Sequence, residues 1–251
     1  MQALLLFAFW RRVGLRFRPD FAWRGVGLGH AGRAAGWTFG MLVAGQIAGV
    51  LETNVASLAS SAGPGPLALS NSWLIFMLPH SVITVSLVTV FYTRMNEHAA
   101  REDTVAFKAD VAVALRAVAL AMVLATAVLA VVSLPFARVF NGDFDATEQM
   151  AAVIVAYVAG LVPFGLLFVI QRSFYALTDT RTPFWFTLAQ VVVVIAGVLL
   201  CSLLDRPWIA IGIAAVVSFA GTVQLLIAAS SSPGRSGPAP HAASGARSSP
   251  T

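Results

Sequence analysis

Six long apolar runs, separated by short polar connectors, dominate this chain. Each run is predicted to be a membrane-spanning helix, because about 20 helical residues at about 1.5 Å per residue cross the hydrocarbon core of a bilayer. The predicted spans cover residues 36–60, 69–93, 109–133, 151–172, 184–204 and 207–229. A helix also satisfies its own backbone hydrogen bonds where no water is present. The pattern therefore predicts an all-α polytopic membrane protein.

The two ends of the chain differ from this pattern and from each other. Residues 1–35 start with an apolar run of ten residues that is too short to span, followed by several arginines. We interpret them as the end of a truncated membrane helix plus a basic cytoplasmic linker. Residues 230–251 contain mostly Ser, Pro, Gly and Ala, so nothing drives them to pack, and a disordered cytoplasmic tail is predicted. Residues 36–229 form the predicted six-helix transmembrane lobe.

Basic residues are concentrated in alternate connectors. They precede the first span, follow the last span, and occur between the second and third spans and between the fourth and fifth. The remaining connectors are neutral or acidic, as in residues 141–145. Because cytoplasmic loops carry the excess of Arg and Lys, both termini are predicted to be cytoplasmic, in a multi-pass protein of the bacterial cytoplasmic membrane.

Composition excludes several other classes. Hydrophobic residues make up 58% of the chain and charged residues 11%, too few to cover a soluble surface. The net charge of +5 is explained by lipid headgroups rather than nucleic acid, since the arginines lie between apolar runs. Cys201 is the single cysteine, and neither a metal-ligand cluster nor a phosphate-binding glycine loop or nucleophile elbow is found. No enzyme activity, cofactor or metal is predicted.

Polar residues within the spans are the candidate site, because burying them in a membrane is costly. Counted along the helices, Glu52 lies roughly 12 Å and His80 roughly 16 Å below the outer surface. The two are predicted to line one polar cavity on the substrate path, where protonation could couple to movement. The other predicted members of this cavity are Gln46, Asn54, Asn71 and Thr84. The alternative is a buried hydrogen bond that ties helices together.

Prolines mark the backbone features that bear on motion. Pro79 and Pro163 each remove a helix hydrogen bond from a span and permit a kink, which is either a hinge or a static bend. Between the fourth and fifth spans, Asp179 is predicted to cap the following helix and Pro183 to occupy its first turn. Arg181 is expected to brace this turn rather than contact a substrate.

Three segments resemble the MurJ/MviN family of lipid II flippases. Residues 174–183, FYALTDTRTP, are similar to the family's F-Y-A-x-x-D-T-R-T-P connector. Residues 71–95 resemble its eighth helix, and residues 51–57, LETNVAS, resemble the acidic-Thr-x-x-Ala-Ser stretch of its seventh helix. The likeness covers nearly the whole chain except the tail.

The resemblance implies one six-helix lobe of a two-lobed exporter fold, here the C-terminal half. It implies that the substrate is the undecaprenyl-pyrophosphate-linked peptidoglycan precursor, moved by alternating access. Most of the family's substrate-binding arginines belong to the absent first lobe, and Leu74 stands where the eighth helix usually has an arginine. The expected partners are therefore this precursor, membrane lipids, a separate or upstream N-terminal lobe and, in one alternative, cell-wall synthesis proteins. That alternative is an inactive or scaffolding fragment; another is an exporter of a different polyprenyl-linked glycan or a drug.

Overall fold

The computed structural model describes residues 28–59 and 65–231, and every regular element in these ranges is helical. A π-helical segment, His80–Thr84, joins the second helix to the third. The α-helices are α1 (Leu28–Ser57), α2 (Pro66–Pro79), α3 (Val85–Ala100), α4 (Thr104–Phe140), α5 (Phe144–Val158), α6 (Leu161–Ala176), α7 (Arg181–Cys201) and α8 (Arg206–Ser230). The predictions for the N-terminal helix end and the C-terminal tail lie largely outside the described residues.

Six helical segments in these ranges are long and apolar enough to cross a membrane. They are Ala35–Ser57, Pro66–Ala100, Thr104–Phe140, Phe144–Ala176, Arg181–Cys201 and Arg206–Ser230. The predicted all-α, six-span class is confirmed. The second and third spans are 35 and 37 residues long, longer than predicted. Apolar content marks only the hydrocarbon-spanning part of a helix, whereas backbone hydrogen bonding continues through the polar residues at its ends.

Aspartates in two connectors cap the N-terminal ends of the helices that follow. Asp103 accepts a hydrogen bond from the Ala106 backbone N–H at 3.0 Å and caps α4. Asp143 accepts one from the Ala146 N–H at 3.2 Å and caps α5. These side chains satisfy backbone donors that would otherwise have no partner in the first turn.

The prolines coincide with irregular backbone in the second and fourth spans. Pro79 is the last residue of α2, immediately before the π-helical segment. Pro163 is the third residue of α6, and the fourth span breaks just before it, at Ala159 and Gly160. Because proline has no N–H, it cannot bond back to the carbonyl four residues earlier, which favours a break there. A hinge movement at either site stays a prediction.

The connector between α6 and α7 caps the C-terminal end of α6 and the N-terminal end of α7. Thr178 has a positive φ of 58°, and the Asp179 N–H donates to the Phe174 carbonyl at 3.0 Å, as in a Schellman motif. The Asp179 carboxylate then accepts bonds from the Arg181 N–H at 2.9 Å, the Thr182 N–H at 3.1 Å and the Thr182 hydroxyl at 2.6 Å. Asp179 therefore makes the capping bonds expected from the sequence, and Pro183 lies in the first turn of α7. The Arg181 side chain is exposed.

Candidate functional site

A cavity of about 570 Å³, open on one side, lies between α1, α2, α5, α7 and α8. It forms where most residues on one face of α1 are small and recur at helical spacing, which leaves space beside the neighbouring helices. These small residues are Gly45, Ala48, Gly49 and Ala56. The polar groups that line the cavity are Glu52, Thr53, Ser70, Tyr157 and Gln190.

Glu52 is the ionisable group of this cavity with the most distinctive setting. Its side chain is half-buried and makes no ion pair or hydrogen bond with the described residues. Tyr157, which is only 4% exposed, lines the same cavity. Gln190 contributes an amide to the same cavity and also has no protein partner among the described residues. A carboxylate, a phenol and an amide are thus available to a ligand, to water or to a proton.

His80 lies elsewhere, in an aromatic layer between α2 and α6. Its ring contacts Phe164 at 4.6 Å and Phe168 at 5.2 Å, both edge-on, and its Nδ1 atom has no hydrogen-bond partner. Trp73 connects the two regions, because it lines the Glu52 cavity and also packs against Phe76 at 5.0 Å. The structure therefore separates Glu52 from His80 by packed aromatic rings.

The other predicted site residues are dispersed. Asn71 lines a second cavity of about 420 Å³ together with Asn141, Asp143 and Asp145. Thr84 is fully buried, and its hydroxyl donates to the Met122 sulfur at 3.4 Å. The remaining two, Gln46 and Asn54, are exposed on α1. Of the six predicted cavity residues, Glu52 alone lines the larger cavity, and the functional roles of all six stay predictions.

One polar cluster was not predicted from the sequence. Asp110 of α4 is 5% exposed and pairs with Arg94 of α3 at 2.8 Å and with His98 at 3.3 Å. The sequence does indicate part of this arrangement. A short polar connector joins the second and third spans, so residues 94–110 form a hairpin and lie at the same end of the bundle. The register that brings these three side chains together is a tertiary property. Within the described ranges, no group of three or more His, Cys, Asp or Glu side chains could hold a metal ion.

A multi-span helical bundle with polar groups around cavities between its helices is typical of membrane transporters. The model of the family described as "Lipid II flippase MurJ" matches residues 1–237, so the chain belongs to this family. It is 23% identical over 208 residues to the probable lipid II flippase MurJ of Borreliella burgdorferi, covering 79% of this chain and 40% of that protein. It is 29% identical over 193 residues to the probable lipid II flippase MurJ of Haemophilus influenzae, covering 73% and 38%.

A solved structure supports the fold. The structure of "Lipid II flippase MurJ, inward closed conformation" matches with a TM-score of 0.68 and 23% identity, covering 91% of this chain and 48% of that one. The chain thus spans less than half the length of these relatives, and its fold is that of one lobe of the two-lobed exporter.

Proposed function

We propose that the chain is the C-terminal lobe of a lipid II flippase, which moves the undecaprenyl-pyrophosphate-linked peptidoglycan precursor across the cytoplasmic membrane together with an N-terminal lobe. The observation that supports this most directly is the Glu52 cavity within a bundle of the family's fold. An unpaired carboxylate inside a membrane bundle is costly unless water, a proton or a ligand compensates it. Glu52 is therefore the residue to which we assign a role in the transport cycle.

The need for a second lobe follows from the residues that line this cavity. None of them is an arginine or lysine, and Leu74, which replaces the arginine usual in the family's eighth helix, is among them. A pyrophosphate is recognised best by arginine forks that donate two hydrogen bonds at once. We therefore assign the cationic contacts to the substrate within the cavity to the N-terminal lobe.

In this proposal both termini are cytoplasmic. The end of the bundle that carries Arg94, Arg172 and Arg181 faces the cytoplasm, and the end with Asp143 and Asp145 faces outward. Cysteines introduced one at a time at the exposed residues Glu97 and Asp145, in a chain whose native Cys201 is replaced by alanine, would test this by thiol labelling. A membrane-impermeant thiol reagent added to intact spheroplasts should label position 145 and spare position 97. The reverse result would overturn the orientation.

Complementation tests the transport function. The chain is co-expressed with the N-terminal lobe of a relative in cells depleted of their own flippase, and growth and lysis are measured. The unaltered pair should restore growth, Glu52→Gln should lower rescue at least tenfold, and Glu52→Asp should keep part of it. Glu97→Gln, which removes an exposed carboxylate from α3, is the matched control and should rescue normally. If the unaltered pair reaches the membrane at normal levels and never rescues, the transport proposal is wrong.

A further inference from the structure

Arg172, near the C-terminal end of α6, has an unusual environment for a cation within a span. Its guanidinium carbon lies 4.8 Å from the ring centre of Phe168 and 5.5 Å from that of Tyr92 on α3. The side chain is half-buried. No carboxylate pairs with it among the described residues, although Arg94 on the neighbouring helix is paired with Asp110.

Two effects make Arg172 stable in this position without a counter-ion. The aromatic rings attract the cation through their negatively charged faces. The negative end of the α6 dipole also favours a cation in the last turn or two of the helix. Neither effect uses the guanidinium N–H groups, which point outward in the plane of the group.

These N–H groups have no acceptor among the residues that the structure describes. A guanidinium carries five donors, and Arg172 makes no hydrogen bond with the described residues. The ring of Tyr92 lies beside the guanidinium, so a phenol group accompanies it. Because the two rings lie beside the guanidinium and take up none of its N–H groups, its planar fork of donors is available to an acceptor with two oxygens.

We propose that Arg172, with Tyr92, forms a binding site for the phosphate of an anionic phospholipid in the adjacent leaflet. Basic side chains between helices at the membrane surface are suited to such headgroups. Phosphate offers paired oxygens and a negative charge, which match the fork and the uncompensated cation. The site is separate from the Glu52 cavity, since Arg172 is not among the residues that line that cavity. It does not depend on the proposed transport, because lipid binding is measured without it.

Native mass spectrometry of the purified full chain in detergent measures the binding of single lipids. We expect the first phosphatidylglycerol to bind at least fivefold more tightly than the first phosphatidylcholine. Arg172→Gln should reduce this preference to less than twofold. Arg172→Lys should lose at least half of it, because lysine keeps the charge and lacks the planar fork. The matched control is Arg181→Gln, an exposed arginine at the same end of the bundle, which should keep the preference.

Competition distinguishes the sources of phosphate. Inorganic phosphate at millimolar concentration should not displace phosphatidylglycerol, and complete displacement would mean that free phosphate is the ligand. Binding of undecaprenyl pyrophosphate with no binding of phosphatidylglycerol would overturn the proposal in favour of a substrate site. An unchanged preference in a folded Arg172→Gln variant, or its equal loss in Arg181→Gln, would also overturn it. If Arg172→Gln does not fold, Arg172→Lys gives the decision by the same criterion.

Discussion

Glu52 and Asp110 are both carboxylates within membrane spans, and the fold treats them in opposite ways. Asp110 is 5% exposed and is held by Arg94 and His98 across the α3–α4 hairpin. Glu52 is half-buried, lines a cavity of about 570 Å³ and has no cationic partner among the described residues. The same chemical group thus links two helices at Asp110, whereas at Glu52 it is free to bind a ligand, water or a proton.

The difference separates structural from functional use of charge in a membrane. In a buried ion pair each charge offsets part of the desolvation cost of the other, so removing one partner leaves an uncompensated charge and destabilises the folded state. A carboxylate that faces a cavity relies on water, a proton or a ligand for compensation, so it contributes little to folding and remains available for a transport cycle. Mutations at the two sites should therefore affect different measurements.

The largest effect on stability is expected for Asp110→Ala. The substitution leaves Arg94 and His98 without their shared partner, and it should lower the free energy of unfolding by about 2 kcal/mol. The value lies below the 3–5 kcal/mol typical of a fully buried pair, because the Arg94 side chain is 57% exposed and can turn to water. Unfolding of the purified chain by titration with a denaturing detergent measures it.

Glu97→Ala is the control for this comparison, since Glu97 is an exposed carboxylate on the same helix as Arg94. It should change the free energy of unfolding by less than about 0.5 kcal/mol. A loss at Asp110 no larger than that at Glu97 would show that the buried pair does not hold the hairpin.

A smaller effect is expected for Asp179→Ala in the α6–α7 connector. Asp179 compensates its charge with two backbone N–H groups and the Thr182 hydroxyl instead of a cation. Loss of a helix cap costs about 1 kcal/mol, and the same detergent titration measures it. Asp179→Asn keeps an acceptor oxygen and should lose less; if it loses more than Asp179→Ala, capping is not the cause.

More of the fold than of the candidate site could be predicted from the sequence. Six apolar runs and alternating basic connectors predict six spans, because crossing a bilayer imposes length and hydrophobicity on each helix separately. The depths of Glu52 and His80 can also be counted along their helices. The direction in which each side chain points cannot, because helix rotation is set by packing such as that of His80 against Phe164. For the same reason the contacts of Asp110 with Arg94 and His98 could not be predicted, because they depend on how α3 and α4 are aligned along each other.

The smallest effect on stability is expected for Glu52→Gln. Glutamine has nearly the same volume, and no ion pair with a described residue is lost. The free energy of unfolding should therefore change by less than about 0.5 kcal/mol, measured by the same titration as for Asp110. Together with the expected loss of rescue, this would place the role of Glu52 in the transport cycle. A destabilisation as large as that of Asp110→Ala would instead mean that Glu52 holds helices together, and the distinction between the two carboxylates would fail.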